Sequence, residues 1–177
     1  MRHLVLLTTG GTIEKTYDEF SGNLINRGSI VQRMLARLKL VDTEVRIREL
    51  MSKDSLYMNE MDRDQIVAAV RTVTAPIEDT TGVVILHGTD TLCVTGERLH
   101  SDLVATAPAP PRVPIVLTGA MRPFEMKRSD ALQNLTEALL AATLLSPGVH
   151  VAAHGRVLTF PGVVKNRELG TFVPKPA

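Results

Sequence analysis

Five short apolar segments recur along the chain, and segments with a helical spacing of apolar residues separate them. Segments 82–88 and 114–119 are continuously apolar, which is typical of strands covered on both faces in a parallel sheet. Shorter apolar runs predict three further strands at 3–9, 44–50 and 148–155. The pattern therefore predicts a sheet whose strands are mostly buried.

Four helices are predicted between these strands. The first spans 29–39, with Ser29 as its cap, and the second starts at Asn59 or Asp62. The third covers 91–105, and Ser129 caps the fourth and longest, whose leucines follow one face. Each helix therefore has one apolar face that can cover the sheet.

This alternation of strands and helices predicts the fold class and the position of the site. It indicates an α/β fold in which helices flank a doubly wound, Rossmann-like parallel sheet, as a single domain over residues 1–177. Ligands of such sheets bind at the carboxyl ends of the strands, near the point where the strand order reverses. The polar segment after Val164 is expected to be irregular.

Composition and charge exclude several classes of function. Hydrophobic residues make up 44% of the chain and charged residues 22%, and the net charge is +1. No dense basic run indicates a nucleic-acid surface, and no run approaches the ~20 apolar residues of a membrane span. A signal peptide is not expected, and the single cysteine, Cys93, fits a reducing compartment. We therefore expect a cytoplasmic protein with no nucleic-acid or membrane partner.

Candidate chemistry lies in four polar segments, 8–13, 53–55, 87–91 and 119–123, each at the end of a predicted strand. Taken singly, each is explained by an ordinary turn or helix cap. Together they bring hydroxyls, a carboxylate and glycine-rich backbone to one edge of the sheet. They contain neither a phosphate loop nor Cys/His metal spacing, so no metal or cofactor is expected. This set suits recognition of a small zwitterion and acyl transfer to a hydroxyl.

Segments 9–13 (TGGTI) and 86–91 (LHGTDT) resemble the two signature motifs of the bacterial-type L-asparaginase/glutaminase family. Segments 54–58, 117–135 and 155–165 resemble further landmarks of that family, in the family's order. The match covers nearly the whole chain. Most family members are much longer and carry a smaller carboxyl-terminal domain, which is expected to be absent here. The sequence thus resembles a short-chain L-asparaginase with only the amino-terminal domain.

The resemblance implies catalytic roles for particular residues. Thr12 would be the primary nucleophile, although the resemblance does not settle which threonine attacks first. Thr89, Asp90 and Lys165 would form a second cluster, in which the lysine polarises the hydroxyl and the carboxylate orients the lysine. Tyr17 would be the activating tyrosine, although it comes earlier than in the longer relatives.

The resemblance also implies a substrate-binding set. Ser55, beside Asp54, would bind the substrate α-carboxylate, and Asp90 would bind the α-ammonium group. The oxyanion of the reaction would be contacted by backbone N–H groups near Gly11, Gly88 and Ala120.

The function expected from this resemblance is hydrolysis of L-asparagine to L-aspartate and ammonia through an acyl-enzyme, by a homodimer or homotetramer. A glutaminase or mixed amidase stays open, because one methylene changes binding by only ~1–3 kcal/mol. A catalytically silent amino-acid sensor, or a subunit completed by a partner, is an alternative from another class. The absence of a phosphate loop disfavours a nucleotide-binding domain.

Overall fold

The protein is described by a computed structural model that covers residues 1–75 and 78–176. The strands, numbered β1 to β10, are Arg2–Gly10, Thr16–Asp18, Asn23–Ile25, Thr43–Lys53, Gly82–Leu86, Pro114–Thr118, Gly148–Ala153, Arg156–Thr159, Val163–Asn166 and Thr171–Pro174. The α-helices, α1 to α4, are Val31–Leu35, Glu60–Val73, Leu92–His100 and Ala131–Leu144. None of the helices in this part of the chain is long and apolar enough to cross a bilayer.

A six-stranded sheet with the order β4-β1-β5-β6-β7-β8 forms the centre of the fold. Neighbouring strands from β4 to β7 are parallel, whereas β8 runs antiparallel to β7. The prediction of an α/β fold with helices on both sides of a mostly parallel sheet is confirmed. Because β4 lies on one side of β1 and β5 on the other, the strand order reverses at β1. The crevice expected of such a reversal lies where β1 and β5 end.

Alternate residues of the strands face two separate cores. Val5 and Leu7 of β1 belong to a buried cluster with α2 and α3, whereas Leu4 and Leu6 belong to one with α1 and α4. This division follows from the two-residue period of a strand, which sends successive side chains to opposite faces. Both faces of the central strands are therefore covered, as their continuously apolar sequences predicted.

The first helix is shorter than predicted. Its start is confirmed to within a residue, because the Ser29 hydroxyl accepts a hydrogen bond from the N–H of Val31 (3.3 Å). However, α1 ends at Leu35 rather than near Lys39. The N–H groups of Arg37 and Leu38 bond to carbonyls three residues earlier (3.1 and 2.9 Å), so the chain continues as tight turns.

The prediction of an irregular carboxyl-terminal tail was wrong, because β9 and β10 form an antiparallel hairpin there. Phe160, Val163 and Phe172 are buried in the cluster shared with α2 and α3, and they hold the hairpin against that face. Gly96 of α3 makes room for the Phe160 ring, since a Cβ at that position would lie 2.1 Å from Cζ of the ring. These three apolar residues, of which only Phe172 lies in the polar segment after Val164, thus anchor the strand that carries Lys165.

Candidate active site

The turns that follow β1 and β5 touch each other at the carboxyl edge of the sheet. A Cβ built on Gly11 would lie 2.4 Å from both Cα and N of Gly88. Gly11 also has φ 80° and ψ −179°, a backbone conformation that is essentially restricted to glycine. Thr12 and Thr89 follow these glycines directly. The two threonines are therefore presented at the same edge by neighbouring strands.

The turn after β4 packs against the same pair of glycines. The N–H of Gly11 donates to the carbonyl of Lys53 (2.8 Å), and a Cβ on Gly88 would lie 2.5 Å from Oγ of Ser55. The Gly11 N–H thus already has a partner in this structure, and the contact of an oxyanion with N–H groups near Gly11 stays a prediction. The contribution of Gly11 here is to let three turns come together.

Ser55 lies fully buried between these turns. Its hydroxyl has no hydrogen-bond partner within residues 1–75 and 78–176, while its carbonyl accepts from the Thr91 hydroxyl (3.0 Å). A buried polar group without a partner costs about 1–3 kcal/mol. A ligand carboxylate would supply the missing acceptor, but it can reach this hydroxyl only after neighbouring atoms move aside.

Asp54, next to Ser55, already has partners for both carboxylate oxygens. Lys15 lies 2.7 Å from one oxygen, and the N–H of Leu56 donates to the other (3.1 Å). The hydrogen bond from Lys15 lowers the pKa of the Asp54 carboxyl, so that it is ionised at neutral pH. This ion pair ties the turn that carries Thr12 to the turn that carries Ser55.

Lys165 joins a hydroxyl and a carboxylate in one hydrogen-bonded group. Its Nζ lies 2.8 Å from Oγ1 of Thr89 and 2.8 Å from Oδ1 of Asp90. The lysine side chain is 16% exposed and Thr89 is buried, so bulk water screens these contacts only in part. The three predicted residues, which come from β9 and from the turn after β5, are thus brought together.

The loop after β6 closes the edge on the other side. Ala120 is buried, and the Asp130 carboxylate fixes the following backbone by accepting the N–H groups of Met121 (2.9 Å) and Arg122 (3.0 Å). The N–H of Phe124 reaches the carbonyl of Ile13, which follows Thr12 (3.4 Å). All four polar segments that the sequence singled out therefore meet at one edge.

Comparison with known proteins agrees with this geometry. The family model described as asparaginase, N-terminal, matches residues 3–171. The chain belongs to the asparaginase family. The predicted family assignment is confirmed.

Known L-asparaginases resemble the chain both in sequence and in structure. The chain is 33% identical over 169 residues to an L-asparaginase of Thermococcus kodakarensis, covering 94% of this chain and 48% of the relative. A solved thermostable L-asparaginase from Thermococcus kodakarensis superposes with a TM-score of 0.82 at 29% identity, over 97% of this chain and 51% of that one.

A second group of relatives carries another name. The chain is 30% identical over 159 residues to a glutamyl-tRNA(Gln) amidotransferase subunit of Methanococcus vannielii, covering 89% of this chain and 35% of the relative. The chain thus spans about half of the asparaginase relatives and about a third of this one.

Tyr17 is placed differently from the other predicted residues. It lies on the β2–β3 hairpin with 62% of its surface exposed, and its backbone N–H donates to Glu125 (3.0 Å). Whereas the asparaginase motifs converge on the sheet edge, the tyrosine ring is largely in solvent. Its participation in the chemistry therefore stays a prediction.

Lys15 and the buried Glu14 lie at the site but were not singled out by the sequence. His87 belongs to the predicted segment 87–91, although no role was assigned to it; it is also buried, and its Nε2 lies 2.8 Å from the Thr95 hydroxyl. Burial lowers the pKa of His87 to about 4, so the ring is neutral at physiological pH. Lys15 and Glu14 have no diagnostic spacing, because they meet side chains 39 and 15 positions away in the sequence. The described residues contain no group of His, Cys, Asp or Glu side chains that could hold a metal ion.

The contact between Gly11 and Gly88 leads to a prediction about stability. We expect Gly11→Ala to lower the free energy of unfolding by about 2–6 kcal/mol, because backbone strain and overpacking each cost about 1–3 kcal/mol. The new methyl group would meet the backbone of Gly88, which cannot rotate away. Urea unfolding followed by circular dichroism measures the effect.

Gly155→Ala is the matched control for this variant. Gly155 has φ 74°, and nothing lies within 4 Å of a Cβ built on it. The free energy of unfolding of this variant should therefore fall only by the cost of placing alanine in a left-handed backbone conformation, about 1–2 kcal/mol. Equal losses in the two variants would mean that the close approach of the two turns contributes nothing.

Proposed function

We propose that residues 1–177 act as an asparaginase N-terminal-type catalytic domain, which hydrolyses L-asparagine to L-aspartate and ammonia with a threonine nucleophile. The observation that carries the proposal is the contact of the Lys165 amine with both the Thr89 hydroxyl and the Asp90 carboxylate. A site that only binds an amino acid has no need of an amine that polarises a hydroxyl.

The proposed reaction has two halves. The Thr12 oxygen attacks the side-chain amide carbon, its proton passes to the leaving nitrogen, and cleavage of the C–N bond releases ammonia. An ester between Thr12 and the aspartyl group remains. A water molecule then attacks this ester, with the Thr89 hydroxyl and the Lys165 amine relaying its proton, and aspartate leaves as the Thr12 hydroxyl forms again.

The substrate is proposed to be recognised through its α-ammonium and α-carboxylate groups, which bind different residues of the site. Asp90 would attract the α-ammonium group, and the hydroxyl of Ser55 would donate to the α-carboxylate. Because Ser55 is fully buried, substrate binding would have to displace part of the covering turns. The Lys15–Asp54 ion pair, which is about three-quarters buried, borders Ser55 and is the contact we expect to rearrange.

Two other functions remain candidates for the same site. A glutaminase or mixed amidase differs only in the size of the side-chain pocket. A role as one part of a larger amidotransferase is favoured by the 30% identity to the glutamyl-tRNA(Gln) amidotransferase subunit of Methanococcus vannielii. Such a protein, or an amino-acid sensor, would bind its ligand without turning it over by itself.

The experiment is to measure ammonia release from L-asparagine and L-glutamine by the purified chain. Thr12→Ala, prepared in the same way, controls for contaminating host amidases. A higher kcat/KM for asparagine supports the proposal, and a higher value for glutamine indicates a glutaminase. If neither amide is hydrolysed while aspartate binding is detected by calorimetry, the chain is a sensor or an incomplete subunit.

A cytoplasmic location and a homodimeric or homotetrameric state complete this proposal. Light scattering of the purified chain measures its oligomeric state directly. A monomer that hydrolyses asparagine would show that no second subunit is required to complete the pocket.

A further inference from the structure

Glu14 is a buried carboxyl that the proposed reaction does not use. It ends the short helical turn Thr12–Glu14, and only 1% of its surface is exposed. Its side chain folds back so that one oxygen accepts the N–H of Gly10 (3.0 Å) and the other accepts the hydroxyl of Ser29. The carboxyl thus spans the glycine turn that presents Thr12.

This carboxyl is the partner of the Gly10 N–H, while the neighbouring Gly11 is held by its own hydrogen bond to the Lys53 carbonyl (2.8 Å). Gly10 and Gly11 have φ values of 93° and 80°, and glycine populates many conformations in the absence of tertiary contacts. A hydrogen bond from the Gly10 N–H to a fixed carboxyl selects one of them. Ser29 anchors the carboxyl in turn, since it lies at the start of α1 and its hydroxyl also accepts the N–H of Val31.

We propose that Glu14 is a positioning residue, which fixes the Gly10–Thr12 turn and thereby the Thr12 hydroxyl without contacting the substrate. The inference rests on the proposed function insofar as Thr12 is the nucleophile. Displacement of a reacting group by about 1 Å can cost about 10²-fold in rate, so the rigidity of this turn affects kcat.

The ionisation of Glu14 tunes this restraint near neutral pH. Burial raises the pKa of Glu14 to about 7, although the hydrogen bonds from Ser29 and Gly10 act to lower it. Glu49 on β4 is the facing group whose negative charge raises the pKa further, while the contacts from β1 and from the start of α1 are neutral. Hydrogen bonds to an ionised carboxylate are about twice as strong as neutral ones. The turn is therefore held most firmly above the pKa, and kcat rises as pH rises through about 7.

The decisive variant is Glu14→Gln, which imitates the protonated carboxyl in shape and charge. We expect the rise in kcat near neutral pH to disappear and kcat at pH about 8 to fall by about tenfold, with KM changed by less than about twofold. Thermal unfolding verifies that the variant is folded. The proposal would be overturned if Glu14→Gln kept both the kcat of the wild type and its pH dependence.

Two neighbouring variants should move the midpoint of the rise in opposite directions. Glu49→Gln removes a negative charge, so the midpoint shifts to lower pH. Ser29→Ala removes a hydrogen bond that stabilises the carboxylate, so the midpoint shifts to higher pH. A rise that stays at the same pH in both variants would assign it to a group other than Glu14.

An additional measurement does not depend on catalysis. In the ¹⁵N-labelled protein, the amide shift of Gly10 should titrate near pH 7 in the wild type and stay flat in Glu14→Gln. If this titration is seen but no amide is hydrolysed, the proposed function fails while the restraint on the turn stands. If hydrolysis is seen but the Gly10 amide titrates identically in both proteins, the role of Glu14 is refuted.

Discussion

Lys165→Met is expected to reduce kcat for asparagine hydrolysis by about 10³-fold while changing KM much less, because positioned proton transfer contributes roughly 10²–10⁴-fold. Methionine keeps the length and the apolar stem of lysine but removes the amine. The Thr89 hydroxyl and the Asp90 carboxylate, each 2.8 Å from Nζ, would then lose the donor that they share. Steady-state kinetics with L-asparagine measure the loss.

Lys175→Met is the control for this variant, because Lys175 is exposed and follows the end of β10. It should retain full activity. The melting temperature of Lys165→Met must also be measured, since Lys165 pairs with Phe172 in the hairpin. A folded Lys165→Met that keeps more than a tenth of the wild-type kcat would remove the lysine from the mechanism.

The central fold could be predicted because strands that are buried on both faces have continuously apolar sequences. Strands β5 and β6 are fully buried, and their segments are the continuously apolar ones. The hairpin β9–β10 has a weaker sequence pattern. Of its anchors Phe160, Val163 and Phe172, only the last lies in the polar segment after Val164. Phe160 can be buried because Gly96 leaves space for its ring, and no local sequence pattern indicates that space.

The site could be predicted to the level of its turns but not of its contacts. Parallel strands bring their carboxyl ends to one edge, so four polar turns had to meet there. The pairing of Gly11 with Gly88 depends on sheet order, which only the folded chain shows. The Lys15–Asp54 pair and the buried Glu14 depend on how those turns pack. Residues 39 or more positions apart, such as Lys15 and Asp54, have no spacing rule that predicts their contact.

Thr12→Ala and Thr89→Val are each expected to lower kcat by about 10³-fold or more, and the double variant should lose little beyond either single one. Residues that act as a unit on one reaction give losses that do not add. Thr12→Ala removes the proposed nucleophile and leaves the Lys165 contacts intact. Thr89→Val removes the hydroxyl that accepts from Lys165 and keeps a side chain of the same shape. Thr72→Ala, at an exposed position on α2, is the control.

Mass spectrometry of the stalled enzyme decides which threonine attacks. In Thr89→Val the first half of the reaction should still occur slowly, because Thr12 and its glycine turn are unchanged. The ester should then accumulate, since the group that activates water for the second half has lost its hydroxyl. An aspartyl group on the peptide that contains Thr12 would assign the nucleophile. An aspartyl group on the Thr89 peptide in Thr12→Ala would reverse the roles, and losses that multiply in the double variant would mean that the two hydroxyls serve independent steps.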